Sequence, residues 1–154
     1  MTDPSHGLHS FQEELLRGTM LLQHGIIYPD LYVYGDQAEG KLRLTYVKLE
    51  NSTVTAFVSF VQCTPIEGTP CFQIGYAVPE AYRHKGLAKE IVSMALSEIQ
   101  NGFKRFGAFY VEAIVGADNK FSQRVAEHAI SATSVTMRDE MSGLPALQYL
   151  RKME

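Results

Sequence analysis

Residues recur at helical spacing in two long stretches of the chain. Over 86–100 the apolar positions form one stripe, which comprises Leu87, Ala88, Ile91, Val92, Ala95, Leu96 and Ile99. This stripe predicts a long amphipathic helix that ends near Gly102. A first helix is predicted to begin near Ser10, because Ser10 and Glu13 form an S-x-x-E capping box, and to end by Gly25. The positions on its inner face would be Phe11, Leu15, Thr19 and Leu22.

Between these helices, three stretches have the alternation or the β-branched and aromatic residues that strands favour. They are the alternating Leu42, Leu44 and Tyr46, the run 53–62 and the run 71–78. Turn-forming residues at 50–52 and a loop at 64–70 separate them, and a loop at 35–40 precedes them. This order predicts an antiparallel meander.

A further strand is predicted over 108–115, where the residues are apolar and rich in β-branched side chains. The order strand, helix, strand predicts a parallel crossover. Another helix is predicted from Asn119, with Asp118 as its N-cap, and two short strands at 134–137 and 146–150. We therefore expect an α/β (α+β) fold in one domain over 1–154. Its central sheet would be mixed and mostly antiparallel, with helices on both faces.

The composition narrows the functional classes. Hydrophobic residues make up 45% of the 154 residues, charged residues 20%, and the formal net charge is −3. No apolar run approaches the roughly 20 residues needed to span a bilayer, and the polar N-terminus has no signal-peptide pattern. We expect a cytoplasmic protein without a membrane partner. Because no basic stripe is visible, nucleic acid is an unlikely partner.

Cysteine and histidine spacing gives no indication of a metal site. Cys63 and Cys71 bracket a short loop, so a disulfide between them is sterically possible, although free thiols are the usual state in a chain without a signal peptide. His6 and His9 are expected in a mobile N-terminal tail. No metal cofactor is predicted.

The junction between the strand 71–78 and the helix 86–100 is the best candidate for ligand binding. A helix start exposes unpaired N–H groups and a partial positive charge, which suits an anion. Arg83 and Lys85 add charge, and Gly86 would let the backbone approach a ligand closely. The alternative is an ordinary strand-to-helix turn in which the glycine only relieves crowding.

Two motifs resemble those of the Gcn5-related N-acetyltransferase (GNAT) superfamily. The first is Arg83-x-x-Gly86-x-Ala88, which has the R/Q-x-x-G-x-G/A form of that family. The second combines Val111-Glu112-Ala113 with Asn119-x-x-Ser122-x-Arg124-Val125-x-Glu127. It is similar to the branch that acetylates ribosomal-protein N-termini (RimJ/RimL-like). The resemblance extends over 72–130.

The resemblance implies a GNAT-like acyl-CoA fold and acetyl-CoA (coenzyme A) as cosubstrate. In that family the loop holds the coenzyme A pyrophosphate with backbone amides, and the preceding strand splays from its neighbour to pair with the pantetheine arm. The cofactor-binding residues implied are Ala77, Val78, Arg83, His84, Lys85, Gly86, Leu87, Ala88, Asn119 and Ser122. Helix capping explains Asn119 nearly as well as contact with pantetheine does.

Catalysis needs a base, because an amine is mostly protonated at neutral pH and must lose a proton before it attacks a thioester. Glu112 is the candidate, since it interrupts an otherwise apolar strand; a structural carboxylate is the alternative. Tyr76 and Tyr110 are candidate proton donors to the leaving thiolate, or else core aromatics. Many family members carry a tyrosine acid on the last helix, a region where this chain has Val125.

We therefore expect an N-acetyltransferase that moves an acetyl group from acetyl-CoA to a primary amine by direct attack. The acceptor would be a protein N-terminus, a lysine or a small-molecule amine, and a homodimer is possible. Two other functions fit the same fold: a non-catalytic acyl-CoA sensor, and a toxin that acylates aminoacyl-tRNA. The acidic net charge argues mildly against the toxin.

Overall fold

The computed structural model describes residues 3–154. Its helices and strands, in chain order, are α1 (Pro4–Leu16), β1 (Gln23–His24), β2 (Tyr32–Ala38), β3 (Lys41–Glu50), β4 (Thr53–Ile66), β5 (Thr69–Ala77), α2 (Leu87–Phe103), β6 (Phe109–Gly116), α3 (Lys120–Ala129), β7 (Val135–Arg138) and β8 (Pro145–Met153). All strands lie in one sheet, in the order β1-β2-β3-β4-β5-β6-β8-β7. Every neighbouring pair is antiparallel except β5 and β6, which are parallel. The predicted meander and the predicted parallel crossover are both confirmed.

The helices divide between the two faces of the sheet, as predicted. On one face, Leu8 and Phe11 of α1 pack against Val47, Val54 and Phe57. On the other face, the apolar stripe of α2 and one side of α3 cover a larger core. From the strands, that core includes Tyr46, Val58, Phe60, Phe72, Ile74, Tyr76, Val111, Ala113 and Tyr149. We call the first face the α1 face and the second the α2 face.

Helix α1 begins six residues earlier than predicted. Asp3 caps it by accepting a hydrogen bond from the Ser5 N–H at 2.9 Å, and Pro4 occupies the first helical position, where its missing N–H costs nothing. The predicted capping box of Ser10 and Glu13 is therefore wrong. His6 lies within this helix, as does His9, so the prediction of a mobile tail there is also wrong.

Two predicted loops are largely strand. The segment 35–40 belongs mostly to β2, where Asp36 pairs with Arg43 of β3 through a hydrogen bond of 2.9 Å from Nε. The segment 64–70 contributes to both β4 and β5 and leaves only a tight turn at Glu67 and Gly68. Both turn residues have positive φ, +49° and +80°, as a type I′ hairpin turn requires. Turn residues in the sequence therefore led us to overestimate both loops.

Two smaller differences lie near the candidate site. Strand β6 was predicted to be buried, yet the burial of its side chains alternates. Val111 and every second residue on either side of it are buried on the α2 face, whereas the residues on the opposite face are half-buried. Helix α3 is capped by Asn119 rather than Asp118, because the Asn119 side chain accepts the Ser122 N–H at 3.1 Å. Within the described residues, no helix combines the length and the hydropathy needed to cross a membrane.

Candidate functional site

A wedge-shaped gap separates the C-terminal halves of β5 and β6. The two strands pair only from Cys71 opposite Tyr110 to Gln73 opposite Glu112. Beyond that point β5 continues to Ala77 with only β4 beside it, whereas β6 stays paired with β8 as far as Gly116. The edge of β5 that faces the gap therefore has backbone groups without a strand partner among the described residues, and these can pair with an extended ligand.

The open end of the gap leads to the start of α2. Gly86 is the N-cap of this helix and adopts the left-handed conformation, with φ +74°. The first intrahelical bond runs from the Glu90 N–H to the Gly86 carbonyl at 3.1 Å, so the N–H groups of the first turn are free to bind an anion. A Cβ at Gly86 would meet no protein atom within 4 Å. Open space therefore lies directly against this backbone.

Basic side chains surround this helix start. The exposed Arg83 donates from Nε to the Val78 carbonyl at 3.0 Å, which ties the loop back to the end of β5. The Lys85 ammonium lies 5.4 Å from the centre of the Tyr82 ring, a cation–π contact that holds it near the loop. His84, also exposed, has a φ of +67°. The loop thus combines oriented N–H groups with positive charge.

Glu112 lies at the closed end of the gap, on the α1 face of β6. Its side chain is half-buried, and Oε2 accepts a hydrogen bond from Gln148 Nε2 of β8 at 2.6 Å. No described residue bonds Oε1, which leaves this oxygen for a water molecule or a substrate amine. Gln73 is directly opposite Glu112 on β5. The sequence did not single out Gln148, because nothing in its strand pattern identifies the residue that it contacts.

The two candidate tyrosines occupy different positions. Tyr76 is buried on the α2 face, and its hydroxyl donates to the Ser122 carbonyl at 2.6 Å across the gap. Burial raises the pKa of Tyr76 well above its usual range, which makes loss of its proton unfavourable. Tyr110 shares the α1 face with Glu112 but lies two residues before it, roughly 7 Å toward the paired end of the strands.

Helix α3 forms the far wall of the gap. Gln123, 6% exposed, donates from Nε2 to the Gly116 carbonyl at 2.9 Å and so fixes the helix to the end of β6. Asn119 is used as the helix cap, and Ser122 is half-buried with its carbonyl bonded to Tyr76. The Val125 side chain, 1% exposed, belongs to the core and carries no acid. No cluster of side chains suited to a metal occurs in residues 3–154.

Comparison with known proteins agrees with this arrangement. The family model described as an acetyltransferase (GNAT) domain matches residues 32–129. No curated protein matches the chain significantly. Among solved structures, a Salmonella typhimurium acetyltransferase that modifies the N-terminal serine of 50S ribosomal subunit protein L7/L12 is similar, with a TM-score of 0.53 and 20% identity. That match covers 73% of this chain and 64% of the other, so the chain spans less than two thirds of that protein.

Two further structures share the fold. RimJ of Mycobacterium smegmatis, solved with CoA-disulfide, gives a TM-score of 0.55 at 17% identity over 73% of this chain and 54% of its own. The acetyltransferase yncA of Salmonella typhimurium, solved with acetyl-CoA, gives 0.52 at 18% identity over 75% of this chain and 66% of its own. At identities this low, these structural matches show a common fold and nothing more. The family model, however, covers more than half of the sequence. The chain therefore belongs to the GNAT family of N-acetyltransferases.

Proposed function

We propose that this protein transfers an acetyl group from acetyl-CoA to a primary amine by direct attack. The observation that carries the proposal is the gap between β5 and β6, which runs from the free N–H groups at Gly86 to the carboxylate of Glu112. An anion site at one end and a base at the other, joined by a free strand edge, suit a long phosphorylated thioester.

The cosubstrate would lie along this gap. Its pyrophosphate would accept hydrogen bonds from the first N–H groups of α2, at Gly86, Leu87 and Ala88, with Lys85 adding charge and the His84 ring adding a hydrogen-bonding group. The pantetheine amides would pair with the free edge of β5 at Ala77 and Val78. Arg83 would act through the loop, because its Nε is already bonded to the Val78 carbonyl. The thioester would then reach the closed end of the gap.

Glu112 would remove the proton that keeps the amine from attacking. Its Oε1 would accept the proton directly or through water, while Gln148 holds Oε2 in place. The neutral amine then adds to the thioester carbonyl, whose oxygen takes up the negative charge. A backbone N–H on the free edge of β5, near the closed end of the gap, would stabilise this oxyanion. Collapse of the adduct forms the amide bond, breaks the carbon–sulfur bond and releases coenzyme A as thiolate.

The coenzyme A thiolate needs a proton, and three donors can be compared. Tyr76 is a weak candidate, since its hydroxyl is committed to the Ser122 carbonyl and its pKa is raised by burial. Tyr110 remains a prediction, although it lies away from the gap. Water that enters the open side of the gap is the simplest donor.

The acceptor is proposed to be a protein N-terminus, a lysine or a small-molecule amine. The likeness to an enzyme that modifies an N-terminal serine makes a peptide N-terminus the first acceptor to test. The single-domain organisation, the cytoplasmic location and the possible homodimer all stay predictions of the sequence.

The test is a turnover screen with acetyl-CoA and panels of N-terminal peptides, lysine peptides, polyamines and amino acids, read by mass spectrometry of the acetylated product. We expect amide formation that saturates with acetyl-CoA and is lost in Glu112→Gln. Binding of coenzyme A without product in any panel would instead favour an acyl-CoA sensor. Two features fit that alternative: Val125 lies where many family members have a tyrosine acid, and the Tyr76 hydroxyl is already bonded to the Ser122 carbonyl. Acylation of aminoacyl-tRNA alone would indicate the toxin activity.

A further inference from the structure

Cys63 and Cys71 face each other across β4 and β5. They are direct partners in the antiparallel register, and both are free thiols. Directly opposed residues in antiparallel strands have Cα atoms about 4.5–5.5 Å apart, which lies inside the range of about 4.4–6.8 Å that a disulfide requires. The regular register ends at this pair, because the next paired residues are Ile66 and Thr69. The backbone therefore already satisfies the spacing for a cross-strand bond.

The two sulfurs differ in accessibility. Cys63 is half-buried, whereas Cys71 is 1% exposed, so a solute in water can reach only the first. Hydrogen bonding from the Cys71 thiol lowers the pKa of Cys63, and the positive charge of Lys41 acts in the same direction against burial and Glu112. The same hydrogen bond, followed by burial, raises the pKa of Cys71. Thiolate character therefore lies on the accessible sulfur, where nucleophilic attack needs it.

We propose that Cys63 and Cys71 form a redox-active dithiol, in which Cys63 attacks a low-molecular-weight disulfide and Cys71 resolves the adduct. In the first step the Cys63 thiolate bonds to one sulfur of the small disulfide and releases the other as a thiolate. In the second step Cys71 gives its proton to that thiolate and attacks the Cys63 sulfur, which releases the second small molecule as a thiolate; this thiolate takes from water the proton that Cys63 had lost. Two protein thiols are oxidised to one disulfide, and one small disulfide is reduced to two thiols.

The pair lies beside the candidate acetyl-transfer site without belonging to it. Cys71 is opposite Tyr110 on β6 and two residues before Gln73, at the paired end of the strands rather than in the gap. A disulfide here would link β4 to β5 at the end away from the cosubstrate. The oxidation state of the dithiol would thus depend on the ratio of thiols to disulfides in solution, and neither cysteine takes part in the proposed acetyl transfer.

Glutathione disulfide is a suitable probe, applied to the reduced full-length protein and followed by alkylation, peptide mapping and mass spectrometry. We expect the wild type to pass through a glutathione adduct on Cys63 and to end as the Cys63–Cys71 disulfide. Cys71→Ala should stop at the adduct. Cys63→Ala should react at Cys71 at least tenfold more slowly than Cys71→Ala reacts at Cys63.

A wild type that keeps both thiols, or that accumulates a stable adduct on Cys63, would overturn the proposal. So would equal reactivity of the two single variants. Melting curves identify a variant that fails to fold, and the wild-type time course then decides alone, through the order in which the adduct and the disulfide appear. Because this readout needs no acetyl transfer, it is independent of the proposed enzymatic function.

Discussion

The two faces of β6 have different roles, although successive side chains of this one strand point alternately to each face. Val111, Ala113 and Val115 are buried against α2 and α3, and all three are at most 6% exposed. Tyr110 and Glu112 on the α1 face are only half-buried, because α1 packs over β4 and β5 and leaves β6 uncovered on that side. The comparison teaches that β6 separates stability from chemistry by face: its polar side chains lie where no helix excludes water.

Glu112→Gln should have the largest effect on turnover. The variant keeps the shape of the side chain and can still accept the Gln148 hydrogen bond, but it cannot take a proton. A general base is worth about 10²- to 10⁴-fold in rate, so turnover at neutral pH should fall by that amount. High pH should restore part of the rate, because a free amine needs no base. Product formation measured across pH, with coenzyme A binding by calorimetry, checks this outcome.

The matched control lies one residue away on the opposite face. Val111→Ala should lower the free energy of unfolding by about 2 kcal/mol, through lost apolar burial and the cavity left behind. Its turnover per folded molecule should stay at the wild-type level. If Glu112→Gln instead lowered the melting temperature and left turnover intact, the carboxylate would be structural and the division between the faces would fail.

Elements whose pattern is carried by many residues could be predicted from the sequence. The stripe of α2, the alternation of β3 and the β-branched and aromatic run of β4 each rest on several side chains, so the meander and the crossover followed. The start of α1 could not be predicted, since two capping sequences compete and only packing of Leu8 against the sheet selects the earlier one. The hairpins were obscured because glycine and proline also occur at strand ends.

The candidate site was predictable where the backbone carries the chemistry. The motif around Gly86 predicts a helix start, and α2 begins directly after Gly86, whose left-handed φ of +74° was not predicted. The side-chain contacts were not predictable, because they join distant parts of the chain. Gln148 reaches Glu112 from β8, and the Tyr76 hydroxyl reaches the Ser122 carbonyl on α3. Such pairs depend on register and crossing, which local patterns do not encode.

Gly86→Ala should reduce coenzyme A affinity at least tenfold. A new Cβ would occupy the open space where the pyrophosphate must approach the backbone. Gly18→Ala is the matched control, since Gly18 has the same φ of +74° and the same open surroundings but lies beyond the end of α1. Both variants carry backbone strain of about 1–2 kcal/mol. Calorimetry should show weakened coenzyme A binding in Gly86→Ala only. Equal binding by both variants would mean that Gly86 serves only as a turn residue.

Gln148→Ala should reduce turnover about tenfold without abolishing it. A hydrogen bond to a charged group contributes about 1.5–3 kcal/mol, and part of this is recovered when water takes the place of the amide. The loss should appear mainly in kcat, because Gln148 positions the carboxylate rather than the substrate. Gln100→Ala provides the control, since Gln100 makes a comparable bond to the Glu154 carbonyl away from the gap. An unchanged kcat would show that Glu112 needs no positioning.

Tyr76→Phe should have the smallest effect on catalysis and a clear effect on stability. The variant removes the hydrogen bond that the Tyr76 hydroxyl donates to the Ser122 carbonyl, which should lower the free energy of unfolding by about 1 kcal/mol. Turnover per folded molecule should not change if the hydroxyl only bridges the gap. A large loss of turnover with an unchanged melting temperature would return Tyr76 to the role of acid.

Alkaline pH sharpens this last test. Burial raises the pKa of Tyr76 above its ordinary value of 10.0, and also those of Tyr46 and Tyr149 in the same core. Above pH 10 the unfolded chain therefore releases protons that the folded chain keeps, so stability falls as pH rises, by about 1.4 kcal/mol per pH unit for each tyrosine. Below pH 10 none of the three groups contributes a slope. Tyr76→Phe should remove one of the three contributions, and denaturant unfolding at pH 9 and at pH 11 should show a shallower decline than in the wild type. An identical decline would mean that Tyr76 ionises as easily in the folded protein as in the unfolded chain, and that water reaches it through the gap.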